Sequence, residues 1–137
     1  HQDGYYFHLT PSKAVTCWVS LEEVDHENGC LHYIRQSHKE KDFREHARSG
    51  VLGFSQGLSK FSHDEDKQNT VAHPCQPGTL LMHDSRTIHW AGPNVSKTRS
   101  RRALGFIYFA KSAKHDKVAS EAYQVKLATE LRTANKI

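Results

Sequence analysis

The chain contains no run of about 18 apolar residues, the length a membrane-spanning helix requires. It does not open with the basic and apolar regions of a secretory leader. Its three cysteines, Cys17, Cys30 and Cys75, are odd in number, widely spaced and never arranged as Cys-x-x-Cys. That pattern argues against a disulfide framework or a zinc ribbon and fits reduced thiols in a cytoplasmic protein. Internal repeats and low-complexity tracts are missing too. So is the interleaving of aromatic and basic residues used by single-strand binders. The expectation is a soluble, cytoplasmic chain with neither a membrane nor a nucleic acid as partner. The oligomeric state is not legible. An initiator Met is lacking as well, and the opening at His1 reads as the start of a fragment.

What is present is enough for one domain. Of the 137 residues, 36% are hydrophobic and 25% charged, a balance that builds a soluble globule with a working core. Much of the basic excess behind the +4 net charge sits in Lys97-Thr98-Arg99-Ser100-Arg101-Arg102, read as a solvated loop. Among eleven histidines, His26, His46, His63 and His115 have charged neighbours and are expected to be exposed and idle. The cluster His63-Asp64-Glu65-Asp66 lacks the ligand spacing and glycine of a calcium loop and reads as a solvated acidic loop.

Periodicity predicts a mainly β chain. Residues 1–9 read as an extended aromatic segment stopped by Pro11. Residues 14–24 alternate, with Val15, Cys17, Val19 and Leu21 on one face and Thr16, Trp18 and Ser20 on the other. Asn28-Gly29 is a hairpin signal, and residues 30–34 read as the returning strand. The polar connection 37–62, of the kind that covers a site, has room for a short helix over 41–47. Strands follow at 70–72 and 79–83, and the apolar run 103–109 reads as a buried strand. Asp116 is placed to cap a terminal helix over about 116–135, with Val118, Ala122, Val125 and Leu131 near one face. The architecture implied is a sandwich or barrel packed by helices, with a catalytic core over 1–110 inside a single domain, 1–137.

The chemistry concentrates in His1-Gln2-Asp3 and in Ile88-His89-Trp90-Ala91-Gly92-Pro93-Asn94. In an extended strand, His1 and Asp3 share a face and can converge on one ion. Two imidazoles and one carboxylate form the donor set of non-haem Fe(II) oxygenases, which leaves positions open for cosubstrate and O₂. Arg101 opens the 103–109 strand and offers a planar fork for a carboxylate. His83 also ends an apolar strand and competes with His89, but no Gly-Pro-Asn turn follows it.

These blocks, with Trp18, Glu27-Asn28-Gly29-Cys30-Leu31, Ser37-His38 and Pro77-Gly78, resemble the phytanoyl-CoA dioxygenase family, the group that includes ectoine hydroxylase-like proteins. The resemblance covers roughly residues 1–110. It implies a double-stranded β-helix, a cupin-like jelly roll. It also implies an Fe(II)- and 2-oxoglutarate-dependent dioxygenase that uses O₂ to hydroxylate a small molecule, releasing succinate and CO₂. By the same resemblance His1, Asp3 and His89 are the iron ligands and Arg101 holds the distal carboxylate of 2-oxoglutarate. Gln2 and Trp18 would lie near that cosubstrate, and Asn94 close to the active site. Two features depart from the pattern. Ala91 stands where the family often has Ser, and the segment from His89 to the Arg-Arg pair is one residue longer than in the commonest pattern, which leaves Arg99 and Arg102 as substitutes for Arg101. Related halogenases lack the carboxylate that Asp3 supplies, so hydroxylation is expected. A non-catalytic cupin-like binding module, a metal-dependent hydrolase on the same triad and a copper site at His1 are the rival readings.

Overall fold

The structure, a computed structural model, describes residues 1–47, 57–61 and 64–133, the side chains of 127, 130 and 131 excepted. In chain order these form α1 (Gly4–Phe7), β1 (Leu9–Thr10), β2 (Ala14–Ser20), β3 (Leu31–Ile34), a 3₁₀ turn (Ser37–Lys39), β4 (His46–Ala47) and β5 (Gly57–Leu58). Then come α2 (Glu65–Gln68), β6 (Thr70–His73), β7 (Leu80–Asp84), β8 (His89–Ala91), β9 (Ala103–Phe109), β10 (Lys114–His115) and α3 (Lys117–Thr133). Two antiparallel three-stranded sheets, β7-β2-β9 and β6-β3-β8, are accompanied by the separate small pairs β1-β10 and β4-β5. The mainly β reading holds: this is the strand arrangement of a double-stranded β-helix followed by a terminal helix.

The predicted hairpin at Asn28-Gly29 does not form. β2 pairs with β7 and β9, whereas β3 pairs with β6 and β8, so the turn carries the chain from one sheet to the other. Asn28 is fully buried and satisfies the main chain there. Its Oδ1 accepts from the Asp25 N–H (2.7 Å), and its Nδ2 donates to the carbonyls of Glu23 (2.8 Å) and Ser100 (3.0 Å). Gly29 sits at φ +90°, and a Cβ added there would fall 2.3 Å from the Gly92 carbonyl oxygen. Glycine is required by both facts.

The core lies between the sheets, where Val24, Cys30 and Cys75 pack with Trp18, Ala72 and Leu81. The alternation predicted along 14–24 is not realised: β2 buries Ala14, Cys17 and Ser20, which takes in both of its faces. β9 has the predicted bounds but not the predicted burial. It is an edge strand whose Phe106, Tyr108 and Phe109 are 45%, 63% and 53% exposed. Asp116 does cap α3, accepting from the Ala119 N–H at 2.9 Å. The helix does not bury its predicted stripe. Val118 and Val125 are exposed, Ala122 likewise, and the contact with the body runs through Tyr123, which meets Tyr6 and His8. Leu131 lies outside the described side chains.

No helix forms over 41–47, since Arg44 is held by tertiary contacts instead. Its guanidinium grips the buried Asp66 carboxylate at 2.6 and 2.9 Å and also meets Glu40. Asp66 is therefore no solvated loop acid; His63 lies outside the described residues. No helix among the described residues is long and apolar enough to cross a membrane.

Candidate metal centre

His1 and Asp3 do not share the face of a strand. Asp3 has helical dihedrals (φ −58°, ψ −39°) and starts the turn that leads into α1. The short helix wins over an extended run because the Gly4 N–H is captured by the Ser85 carbonyl (2.7 Å), and the Tyr5 and Tyr6 N–H groups close back on residues 2 and 3. The side chains converge all the same. His1 Nε2 lies 3.1 Å from Asp3 Oδ1, and His89 Nε2 lies 3.5 Å from that same oxygen. One ligand atom from each of His1, Asp3 and His89 falls within 4.8 Å of the other two. The main chain locks the arrangement: the His1 nitrogen donates to the His89 carbonyl (2.9 Å), and the His89 N–H returns to the His1 carbonyl (3.0 Å).

The other carboxylate oxygen, Asp3 Oδ2, faces a different set of groups. Thr16 Oγ1 donates to it at 2.6 Å, and His83 Nε2 lies 3.2 Å away. Behind His83 stands Tyr33, its hydroxyl 3.1 Å from His83 Nδ1. Burial, with Cys75 and Asp3 adding to it, pushes the Tyr33 phenol up to about 12, so it keeps its proton. The direction of the chain follows: Tyr33 O–H donates to His83 Nδ1, and His83 Nε2–H donates to Asp3. His83 thus braces the carboxylate from behind and is not a member of the three-atom group. Sequence reasoning missed Thr16 and Tyr33. No local signal marks them: Tyr33 reaches the site only because β3 pairs with β8, where it stands in register with His89.

The electrostatics favour a cation. Burial alone would raise the Asp3 carboxyl, but hydrogen bonds from His1 and His83, the field of His89 and the Thr16 hydroxyl hold it well below the usual carboxylate range. Burial pushes the His89 imidazole down to about 4 against the pull of Asp3, with His83 and His1 adding to the fall. His89 is therefore neutral at physiological pH. Its Nδ1–H donates to the Thr87 carbonyl at 3.0 Å, which leaves the Nε2 lone pair aimed toward Asp3. Two acceptors, a lone pair and a carboxylate oxygen, stand close together in a buried place. A divalent ion between them removes that conflict, so the residues fit a metal.

The three arginines separate clearly. Arg99 pairs with Asp25 (2.7 Å) and Glu27 (3.1 Å), and Arg102 pairs with Glu22 (2.7 Å). Arg101 Nη1 instead donates to the main-chain carbonyls of Gly29 and Gly92. Gln2, expected beside a cosubstrate, is fully buried. Its Nε2 donates to the Arg86 carbonyl (2.7 Å) and its Oε1 accepts from the Arg44 N–H (2.9 Å), which makes it a brace of the main chain. Its own N–H donates to His46 Nε2 (3.0 Å), so His46 is buried and employed, not idle. Trp18 lies on the Thr16 face of β2 and packs into the core. Asn94 is exposed and shapes its own loop, donating to the Arg99 carbonyl and accepting from the Ser96 N–H. A pocket of about 370 Å³, lined by Leu58, Phe61, Ile88 and Trp90, reaches His1.

A double-stranded β-helix with two imidazoles and a carboxylate between its sheets defines the class of cupin-like metal proteins. The chain belongs to the phytanoyl-CoA dioxygenase (PhyH) family, whose profile matches residues 1–103. It is 32% identical over 110 residues to a phytanoyl-CoA dioxygenase domain-containing protein 1 homolog of Dictyostelium discoideum, covering 78% of this chain and 39% of that protein. It is 30% identical over 106 residues to a probable alpha-ketoglutarate-dependent hypophosphite dioxygenase of Stutzerimonas stutzeri, covering 76% and 37%. Among solved structures it resembles EvdO2 from Micromonospora carbonacea var. aurantiaca complexed with 2-oxoglutarate. There the TM-score is 0.67 at 27% identity, over 85% of this chain and 46% of that one. It also resembles the epimerase SnoN in complex with Fe3+, alpha ketoglutarate and nogalamycin RO, with a TM-score of 0.65 at 26% identity over 84% and 43%. The chain thus spans less than half the length of these relatives.

Proposed function

We propose that this chain carries the metal centre of an Fe(II)- and 2-oxoglutarate-dependent dioxygenase that hydroxylates a small-molecule substrate. The observation that carries the reading is the convergence of His1, Asp3 and His89 in a family member. In this reading those three side chains hold the iron, and His83, Thr16 and Tyr33 fix the plane and charge of Asp3. Arg101 is the guanidinium for the distal carboxylate of 2-oxoglutarate. Its neighbours Arg99 and Arg102 are already paired with carboxylates, and a fork is the geometry a carboxylate takes bidentately. When bound, the iron with its cosubstrate and O₂ supplies the oxidising chemistry. The protein contributes position: two imidazoles on one side of the ion, one carboxylate braced from behind, and sheets that keep water from the site.

The likeness to the epimerase SnoN admits a neighbouring outcome, in which a substrate stereocentre is inverted instead of hydroxylated. The donor set also fits a hydrolytic metal. Arg101 is what favours the oxygenase, since a hydrolase has no use for a carboxylate fork at that place.

The test uses the full-length protein with Fe(II), 2-oxoglutarate, O₂ and a panel of small molecules, in the presence of excess chloride. Succinate formed in step with a hydroxylated product is the expected result. Metal-dependent hydrolysis without loss of 2-oxoglutarate would overturn the oxygenase reading. A chlorinated product would overturn the role given to Asp3.

A further inference from the structure

One group of metal-ligating side chains has no part in that site. His26, Cys30 and His32 each offer a ligand atom, and these atoms lie within 4.8 Å of one another. Among the described residues, only this group and the triad meet that condition. His26 and Cys30 flank the buried Asn28 and the positive-φ Gly29, and the turn these two fix brings His26 Nδ1 to 3.8 Å from Cys30 Sγ. Tetrahedral zinc, with bonds of roughly 2.0 Å to nitrogen and 2.3 Å to sulfur, sets such atoms roughly 3.5 Å apart.

His32 is prepared in the way metal-binding imidazoles are. Its Nδ1 lies 3.0 Å from the Cys30 carbonyl oxygen, a contact that holds the ring in place beside Cys30. The ring is held flat against Trp90, centroids 5.2 Å apart and planes 8° apart. Cys30 is fully buried, and His26 is exposed and leaves one side open to solvent. His32 and Tyr33 are adjacent in β3, so their side chains leave the sheet on opposite faces. His32 therefore leaves β3 on the face away from Tyr33 and His89, whereas Cys30 packs in the core with Val24 and Cys75.

We propose that His26, Cys30 and His32 form a second, solvent-facing metal site that takes a borderline divalent ion of the Zn(II) class. The set is two imidazoles and a thiolate with a fourth position open to water. Sulfur selects this kind of ion over the hard cations that prefer carboxylate oxygen. On binding, the Cys30 thiol gives its proton to solvent as the metal–sulfur bond forms. The occupied loop also bears on the first site, because Arg101 donates to the Gly29 carbonyl at its centre. The proposal does not rest on the oxygenase reading, and each can fail without the other.

The test is a Co(II) titration of the metal-free full-length protein, followed by absorbance and paired with a Zn(II) titration by calorimetry. The triad contains no sulfur, so a thiolate-to-cobalt charge-transfer band in the near ultraviolet reports the new site alone. The expected result is that band in the wild type, its loss in Cys30→Ser and its persistence in Cys75→Ser. Cys30 is a core residue, so His26→Ala, an exposed position, provides the independent check. It is expected to weaken Zn(II) binding at this site by at least ~10-fold, the lower end of what losing even an outer partner of a metal costs. A wild type that binds cobalt without the band would overturn the proposal. So would a band that depends on Cys75, or Zn(II) binding indifferent to both His26→Ala and His32→Ala.

Discussion

The two ligand clusters are built in opposite ways. His1 and Asp3 stand together at one end of the chain, His89 lies far along it, and the three meet between two sheets, buried or half-buried. His26, Cys30 and His32 come from one seven-residue stretch, and their meeting depends on a turn fixed by Asn28 and Gly29. The distant cluster exists only when the whole fold exists, and its carboxylate is braced by three further side chains. The local cluster asks far less of the fold. Arg101 touches both neighbourhoods, through the Gly29 carbonyl on one side and the Gly92 carbonyl, three residues after His89, on the other.

Breaking one cluster without the other gives the largest expected effect. Asp3→Ala removes the only anionic member of the triad. It should cost more Fe(II) affinity than the ~10–100-fold lost with an outer partner of a metal. Anaerobic Fe(II) titration measures this, and the thiolate–cobalt band of the other cluster should survive unchanged. Next comes Arg101→Lys, which keeps the charge and loses the fork. A lost charge-assisted hydrogen bond of about 1.5–3 kcal/mol corresponds to a 2-oxoglutarate Kd at least ~10-fold higher with iron saturating. An unchanged Kd would move the role to Arg99 or Arg102.

Smaller effects sharpen the contrast. His83→Phe removes a brace of Asp3 but no ligand, so Fe(II) affinity should fall by ~10-fold, and Tyr33→Phe should lower it by only a few-fold. A loss as large as that of Asp3→Ala would place His83 on the metal. The smallest effect is on pH dependence. Burial depresses the His46 imidazole below its ordinary 6.5, with His1 adding to the shift. Below that pH the unfolded chain takes up a proton that the folded chain resists, so stability falls as pH drops under 6.5. Protonation would also cost the bond from the Gln2 N–H. In His46→Gln, chemical denaturation should show a shallower slope over that window.

Much of this was legible in the sequence, though sometimes by a wrong route. The period of two, the apolar runs and the turn residues announced β2, β3, β6, β7 and β9, because strand bounds are set by local chemistry. Which strands pair is a long-range matter, and there Asn28-Gly29 misled: the same dipeptide that closes hairpins here crosses between sheets. Burial along 103–109 could not be read either, since an apolar run has the same composition at an edge as in a centre. The residues of the triad were found from their types and their order, yet the helical turn at Asp3 replaced the expected strand. His46, Thr16 and Tyr33 carried no mark, because a hydrogen bond to a residue 13 to 50 positions away leaves no period behind. The ion pairs that set Arg99 and Arg102 apart from Arg101 were equally invisible until the acids at 22, 25 and 27 came alongside.

The most direct test of the central claim is an anomalous-diffraction map of crystals of the full-length protein grown anaerobically with Fe(II). The account predicts one iron peak within about 2.0–2.2 Å of a ring nitrogen of His1, a ring nitrogen of His89 and a carboxylate oxygen of Asp3. His83 should then lie outside bonding distance, still hydrogen-bonded to the far oxygen of Asp3. An iron peak bonded to His83, or one that leaves out any of the three, would contradict it.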